Sequence, residues 1–425
     1  MGSSLAILSH GEYTQSLLGA PLGESANSYK LFQLIQGHLP VVLKDIYQLC
    51  GSDIEWFYSL SHLNMALHEE GSEPLISMEQ KPFQHLKEAF QEAVKDCSQL
   101  LLLTWSQTVA GMLGLDFFQK RETAAKFYLF HYEEKIPLSL YEPFDLLVTE
   151  SPLALKKAHD LGLPSNRLLY LPHQYPLEVE QMANNRSFYR SQLLQQWGRG
   201  VGEELPLLGM FCRFQYRKNV EYALNVLDRL HQEGYRFNFY LKGAFDGSLE
   251  GEEKHYTRWL QEQISAFQKR PWLLWNSEPT PFPKILEEYA AVDVALQLSG
   301  AESGSNTIVE QMALGVPVLV LNCSTNPSLF GEGVEYIKTD FLAPGALPFY
   351  TPNEEDLYEK VKEMLIHPER RASLSERALR ISRERFHPER LLKRVPLLTD
   401  MGSLKAQEER EYIFFEDMSG YDNES

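Results

Sequence analysis

Glu302 and Glu310 stand eight positions apart in "GAESGSNTIVEQMALGVPVLVLN" (300–322), on either side of a run of Gly, Ser, Asn and Thr that suits a helix start. If "DVALQLS" (293–299) is a strand, Glu302 lies in the loop at its carboxyl end, where open α/β sheets bind ligands. A helix opened by Gly304, Ser305, Asn306 and Thr307 would aim free N–H groups and the positive end of its dipole at the same place. Glu310 then falls inside that helix, roughly 7 Å further along its axis. Two carboxylates so arranged can straddle a bound anion and accept hydrogen bonds from hydroxyls on each side of it. A nucleotide sugar has that layout, with vicinal hydroxyls on sugar and ribose and a diphosphate between them. Taken alone, the pair reads as a solvated loop acid and a surface helix acid.

A second constellation changes that reading. "GMFCRFQYRKN" (209–219) puts Arg213 and Lys218 just beyond another strand of the same half of the chain. An Arg and a Lys on a strand-end loop can neutralise the charge that builds on a departing diphosphate without a metal. The sequence contains no D-x-D pair for a divalent ion, so neither metal nor other cofactor is expected. No G-x-G-x-x-G follows a strand, which argues against a dinucleotide-dependent dehydrogenase.

These residues need a scaffold of parallel strands alternating with helices, and the second half of the chain supplies the pattern. Strands are expected at 205–211, 237–243, 272–275, 293–299 and 316–321, with helices at 219–234, 252–268, 283–291 and 305–314 between them. That is a doubly wound α/β domain. The first half has the same rhythm, with strands at "SLAILSH", "SQLLLLT", "AKFYLFHY" and "DLLVTES", helices at 25–37 and 83–96, and an amphipathic helix in "PLALKKAHDLG". The polar segment 184–205 reads as the linker. Expected domains are residues 1–200, 201–390 and a C-terminal segment 391–425. From Asp400 onward, eight acids against two bases mark an exposed or partly docked tail, with "YIFF" as its one apolar anchor.

The chain has 425 residues, enough for two domains and hence a cleft between them. A net charge of −18 argues against a nucleic-acid partner, which would require a basic face. Cys50, Cys97, Cys212 and Cys323 lack metal-ligand spacing and read as reduced thiols of a cytoplasmic protein. "MGSSLAIL" has neither the basic start nor the apolar core of a signal peptide, and the apolar stretch 100–118 is interrupted by polar residues, so no integral membrane segment is expected.

The run "FCRFQYRKN…YLKG…SEPTPFPKILEEYAAVDVALQLSGAESGSNTIVEQMALGVPVLVLN" resembles the donor-binding half of a retaining GT-B glycosyltransferase of the GT4 type, over about residues 205–340. The resemblance implies two Rossmann-like domains facing a central cleft. It also implies transfer of a sugar from a nucleoside diphosphate donor, a UDP-sugar being favoured, to an unidentified acceptor. In that family the basic pair binds the diphosphate, the first glutamate touches the transferred sugar and the second holds the ribose. The matching positions are Arg213, Lys218, Glu302 and Glu310, with Gly304, Ser305, Asn306 and Thr307 donating to the phosphates. The family's Phe-Gly after the first glutamate is replaced by Ser303-Gly304. A weaker likeness over "YLFHYEE…FDLLVTESPLALKKAHDLGLPSNRLLYLPHQYP" places His131 near the reacting carbon and puts His173-Gln174 where the family has Asn-Gly. Gly11 and Gly23 both offer a glycine loop for the donor. Two further readings stay open: an inverting protein O-glycosyltransferase on the same fold, and a non-catalytic partner subunit.

Overall fold

A computed structural model describes residues 5–9, 41–45, 84–102, 121–126, 141, 144–198, 205–243, 251–278, 280–282, 284–302, 304–341, 349–401 and 403–419. The chain forms two units. One comprises Met1–Leu129, Glu133–Pro172 and Pro388–Ser425, the other Phe130–Tyr132 and His173–His387.

The first unit is built on a parallel sheet of β1 (Leu5–Ser9), β2 (Val41–Asp45), β3 (Gln99–Leu102), β4 (Glu122–Lys126), β5 (Leu146–Thr149) and β6 (Leu168–Tyr170), in the order β2-β1-β3-β4-β5-β6. β1, β3, β5 and β6 read as mostly apolar runs, as a parallel sheet covered on both faces requires, and β3 and β5 are buried throughout. The helix Pro152–Asp160 starts on Ser151, whose Oγ accepts from Ala154 N at 3.1 Å. The strand expected at 125–132 begins earlier, at Glu122, and residues 127–140 lie outside the described residues. So do the expected helix 25–37, Gly11 and Gly23.

The acidic C-terminal segment is part of this unit. Leu391, Val395, Leu397, Leu398, Met401 and Ala406 share a core with Ile7, Leu101, Ala124, Leu146, Val148 and Leu169. The helix Leu404–Ser419 is held by Arg410, which is buried: its Nε donates to Asn166 O at 2.8 Å, Nη1 to Leu397 O at 3.2 Å and Nη2 to Met401 O at 2.7 Å. Phe414 of the "YIFF" run packs on the His159 ring with centroids 4.8 Å apart.

The second unit carries β7 (Leu207–Phe211), β8 (Asn238–Lys242), β9 (Leu273–Asn276), β10 (Val294–Gln297), β11 (Val318–Leu321) and β12 (Glu335–Ile337), all parallel, in the order β12-β11-β10-β7-β8-β9. Counted from β7, this is the 3-2-1-4-5-6 order of a Rossmann sheet, whose direction of travel reverses between β7 and β10. The helix Val220–Gln232 covers one face with Val220, Ala223, Leu224, Leu227 and Leu230, at the spacing of one helical stripe. A short antiparallel pair, β13 (Thr339–Phe341) with β14 (Tyr350–Pro352), extends from the end of β12.

The polar segment 184–205, expected as a linker, contains a helix at Arg186–Gln196 packed on this unit. Arg186 donates to Ala290 O at 3.2 Å, Gly315 O at 2.8 Å and Val292 O at 2.6 Å, which turns a charged residue into a staple.

Candidate functional site

The reversal point of the Rossmann sheet leaves a crevice outside the carboxyl ends of its two central strands, β7 and β10, and ligands of such sheets bind there. Beyond β7 the chain passes Cys212–Gln215, makes a 3-10 turn at Tyr216–Lys218, and enters the helix Val220–Gln232 through Asn219. Asn219 is left-handed, φ 55° and ψ 37°, a conformation that asparagine tolerates better than other side-chain-bearing residues. It is fully buried, and its Nδ2 donates to Leu298 O at 2.7 Å and Tyr350 O at 3.1 Å. Those bonds lash the loop after β7 to the end of β10.

The loop after β10 is built against it. Gly300 N donates to Arg217 O at 2.8 Å, and Tyr350 N donates to Gly300 O at 3.1 Å. A Cβ at position 300 would stand 1.9 Å from Tyr350 O, so only glycine fits this approach of two backbones. Arg217 Nη1 reaches Ser299 Oγ at 3.2 Å, Ala301 O at 2.8 Å and Glu302 Oε1 at 3.1 Å. Lys218 Nζ forms an ion pair with the same Oε1. Glu302 is also fixed by its main chain, its N donating to Ser324 Oγ at 3.3 Å and its O accepting from Thr325 Oγ1 at 3.2 Å.

Burial alone would raise the Glu302 pKa, but Lys218 and Arg217 beside it outweigh that and hold it at about 2. Lys218 is pushed below the usual lysine value by burial and by the Arg217 charge, against the pull of Glu302. Arg213, expected as the partner of Lys218, is exposed.

The helix Asn306–Ala313 starts where the sequence places it, and Ser305 at its N-cap makes no side-chain capping bond. The contrast is with Ser151 and Asn353, each of which caps its own helix through its side chain. Asn306 Oδ1 lies 3.1 Å from Nδ1 of His173, which carries the hydrogen if the amide oxygen accepts. The same imidazole lies against Gly304, where a Cβ would meet Nε2 at 2.0 Å. Burial and the charge of Glu310 raise the hydroxyl pKa of Tyr289. Glu310 is itself buried, not the surface acid that a lone helix glutamate would be.

The structure therefore brings Lys218 and Glu302 into contact and puts Gly304, Ser305, Asn306, Thr307 and Glu310 on one helix start. His131 and Ser303 lie outside the described residues. Sequence reasoning passed over Arg217 because the family's spacing fits Arg213 and Lys218; the signal was its place beside Lys218. It noted His173 only as a departure from the family's Asn-Gly, without the contact to Gly304 that explains the pairing of those two residues.

Residues 194–380 match the family described as glycosyl transferases group 1. No curated protein matches the sequence. The fold is similar to that of HepE from Anabaena in complex with UDP-glucose, at 16% identity and TM-score 0.64, covering 92% of this chain and 98% of that one. It is also similar to a sucrose-phosphate synthase from Thermosynechococcus elongatus, at 12% identity and TM-score 0.64, covering 93% and 98%. A glycosyltransferase from Rickettsia africae aligns over 94% and 98% at 13% identity and TM-score 0.61. The matched domain and the fold define the class: a glycosyltransferase, an enzyme of GT-B architecture. Among the described residues no helix is long and apolar enough to cross a membrane.

Proposed function

We propose that this chain transfers a sugar from a nucleoside diphosphate donor, a UDP-sugar by preference, to an acceptor with retention at the anomeric carbon. The observation that carries the reading is the convergence, at the reversal point of the second unit's sheet, of Lys218 and Glu302 with an uncapped helix start that also bears Glu310. UDP is favoured because HepE, of similar fold, is known in complex with UDP-glucose.

Arg213 and Lys218 grip the diphosphate together with the N–H groups at the start of Asn306–Ala313. As the phosphate draws on Lys218, Glu302 turns from its ion pair to the hydroxyls of the transferred sugar. Glu310 accepts from the ribose hydroxyls. When the anomeric bond breaks, negative charge collects on the leaving diphosphate, and the two cations and the helix end stabilise it, which is where a site of this type gains most rate. The leaving phosphate takes the acceptor's proton on the same face of the sugar, and retention follows. Charge stabilisation by side chains makes a metal unnecessary in this scheme. His131 would orient the sugar.

The test is a thermal-shift and calorimetric screen with UDP-, GDP- and ADP-sugars on the wild type and on Glu310→Ala. Binding of a UDP-sugar that weakens in Glu310→Ala supports the reading. A screen without a binder, or binding indifferent to Glu310→Ala, contradicts it. Anomer analysis of the product decides retention.

A further inference from the structure

Lys218 and Arg217 share one oxygen of Glu302, yet they are held differently. Lys218 meets Glu302 as a compact ammonium on a flexible stem, free to follow a competing anion. Arg217 is tied to the loop after β10 at both of its ends. Its carbonyl accepts from Gly300 N at 2.8 Å, and its Nη1 is shared among Ala301 O at 2.8 Å, Glu302 Oε1 at 3.1 Å and Ser299 Oγ at 3.2 Å. Two of those three acceptors are not Glu302, so the guanidinium keeps its place whatever the carboxylate does. Arg213 stays exposed a few residues away.

We propose that Arg217 is the positioning residue of Glu302. It holds the carboxylate ionised and over the strand ends after a donor diphosphate has drawn Lys218 away, so that Glu302 meets the sugar in one orientation. This deepens the donor reading above and rests on it. The cations thereby divide: Arg213 and Lys218 serve the phosphates, and Arg217 serves the acid that serves the sugar. The rigid guanidinium suits the task, since Ala301 O and Ser299 Oγ hold its Nη1 in place beside the carboxylate, whereas an ammonium on a flexible stem is a mobile point charge.

The division predicts a split that a purely structural role would not produce. Titration calorimetry compares UDP with UDP-glucose, UDP-galactose and UDP-N-acetylglucosamine on the wild type, Arg217→Gln and Arg217→Lys. For the UDP-sugar that the wild type binds most tightly, Arg217→Gln should lose affinity about tenfold or more, while affinity for UDP changes by less than about threefold. Arg217→Lys should fall between, and it carries the comparison should Arg217→Gln not fold. Equal loss for UDP and UDP-sugar, or no loss for either, overturns the positioning role while leaving the donor reading intact. A wild type that takes up no member of the panel overturns the donor reading itself, and the inference with it.

Discussion

Removing the charge of Glu302 leaves Lys218 and Arg217 side by side, partly buried, with no anion between them. The magnitude comes from the pKa of Glu302, held at about 2 against an ordinary value of 4.5. At ~1.4 kcal/mol per unit, that difference is worth about 3–4 kcal/mol of folding stability, within the ~3–5 kcal/mol for breaking a buried ion pair. Glu302 is 14% exposed, so solvent screening removes little of it. In a unit of about 220 residues, 1 kcal/mol moves the midpoint by about 2–4 °C, so Glu302→Gln should melt about 7–14 °C lower at pH 7. Because the folded carboxyl titrates below the unfolded one, the contribution is complete above about 4.5 and is lost as pH falls from there toward 2. Scanning calorimetry at pH 7, 5.5 and 4 should therefore show a constant difference between wild type and Glu302→Gln down to about 4.5, narrowing below it. In the double variant with Lys218→Met, the unpaired ammonium is gone, and the combined loss should fall short of the sum of the single losses by about 2 kcal/mol. A Glu302→Gln protein melting within about 1 °C of wild type, or single effects that simply add, would refute the ion-pair reasoning.

Three other expectations rest on the same geometry. Gly304→Ala drives a methyl group into the His173 ring and should cost about 1–3 kcal/mol; thermal melts of the double variant with His173→Ala should recover most of that loss. Asn219→Ala loses the bonds to Leu298 O and Tyr350 O and strains a left-handed residue, for about 2–4 kcal/mol, whereas Asn219→Gly keeps the conformation and should melt higher than Asn219→Ala. UDP release from the bound UDP-sugar, measured by a coupled assay, should be unchanged by EDTA; a fall on chelation would mean that the cations do not suffice.

Five strands of the second unit's sheet were legible as short, largely apolar runs between amphipathic helices, so periodicity located β7, β8, β9, β10 and β11 to within about three residues, whereas β12, a three-residue half-buried Glu-Tyr-Ile, carries no such signal. The helix start at Asn306 was legible from "GSNT" in the same way. Three arginines mark where sequence reading stopped. Arg186 made a helix resemble a linker, Arg410 lay in a segment that read as an acidic tail, and Arg217 was passed over beside Lys218. Each spends its guanidinium on main-chain carbonyls distant in sequence: Ala290, Val292 and Gly315 for Arg186, Asn166 for Arg410, Ala301 for Arg217. Composition counts such a residue as solvent-facing, and nothing local announces its acceptors. The His173–Gly304 contact is of the same sort, since it joins a departure from the family pattern, His173, to a glycine that the pattern keeps, and the two look independent along the chain.

The central claim is that the ends of β7 and β10 and the start of Asn306–Ala313 hold a nucleoside diphosphate. A crystal structure with UDP tests it most directly. The predicted result puts phosphate oxygens within hydrogen-bond distance of Arg213, Lys218 and the N–H groups at that helix start, with the ribose hydroxyls on Glu310. UDP bound elsewhere on the protein, or seated here with Glu310 turned from the ribose and Lys218 still on Glu302, would contradict it.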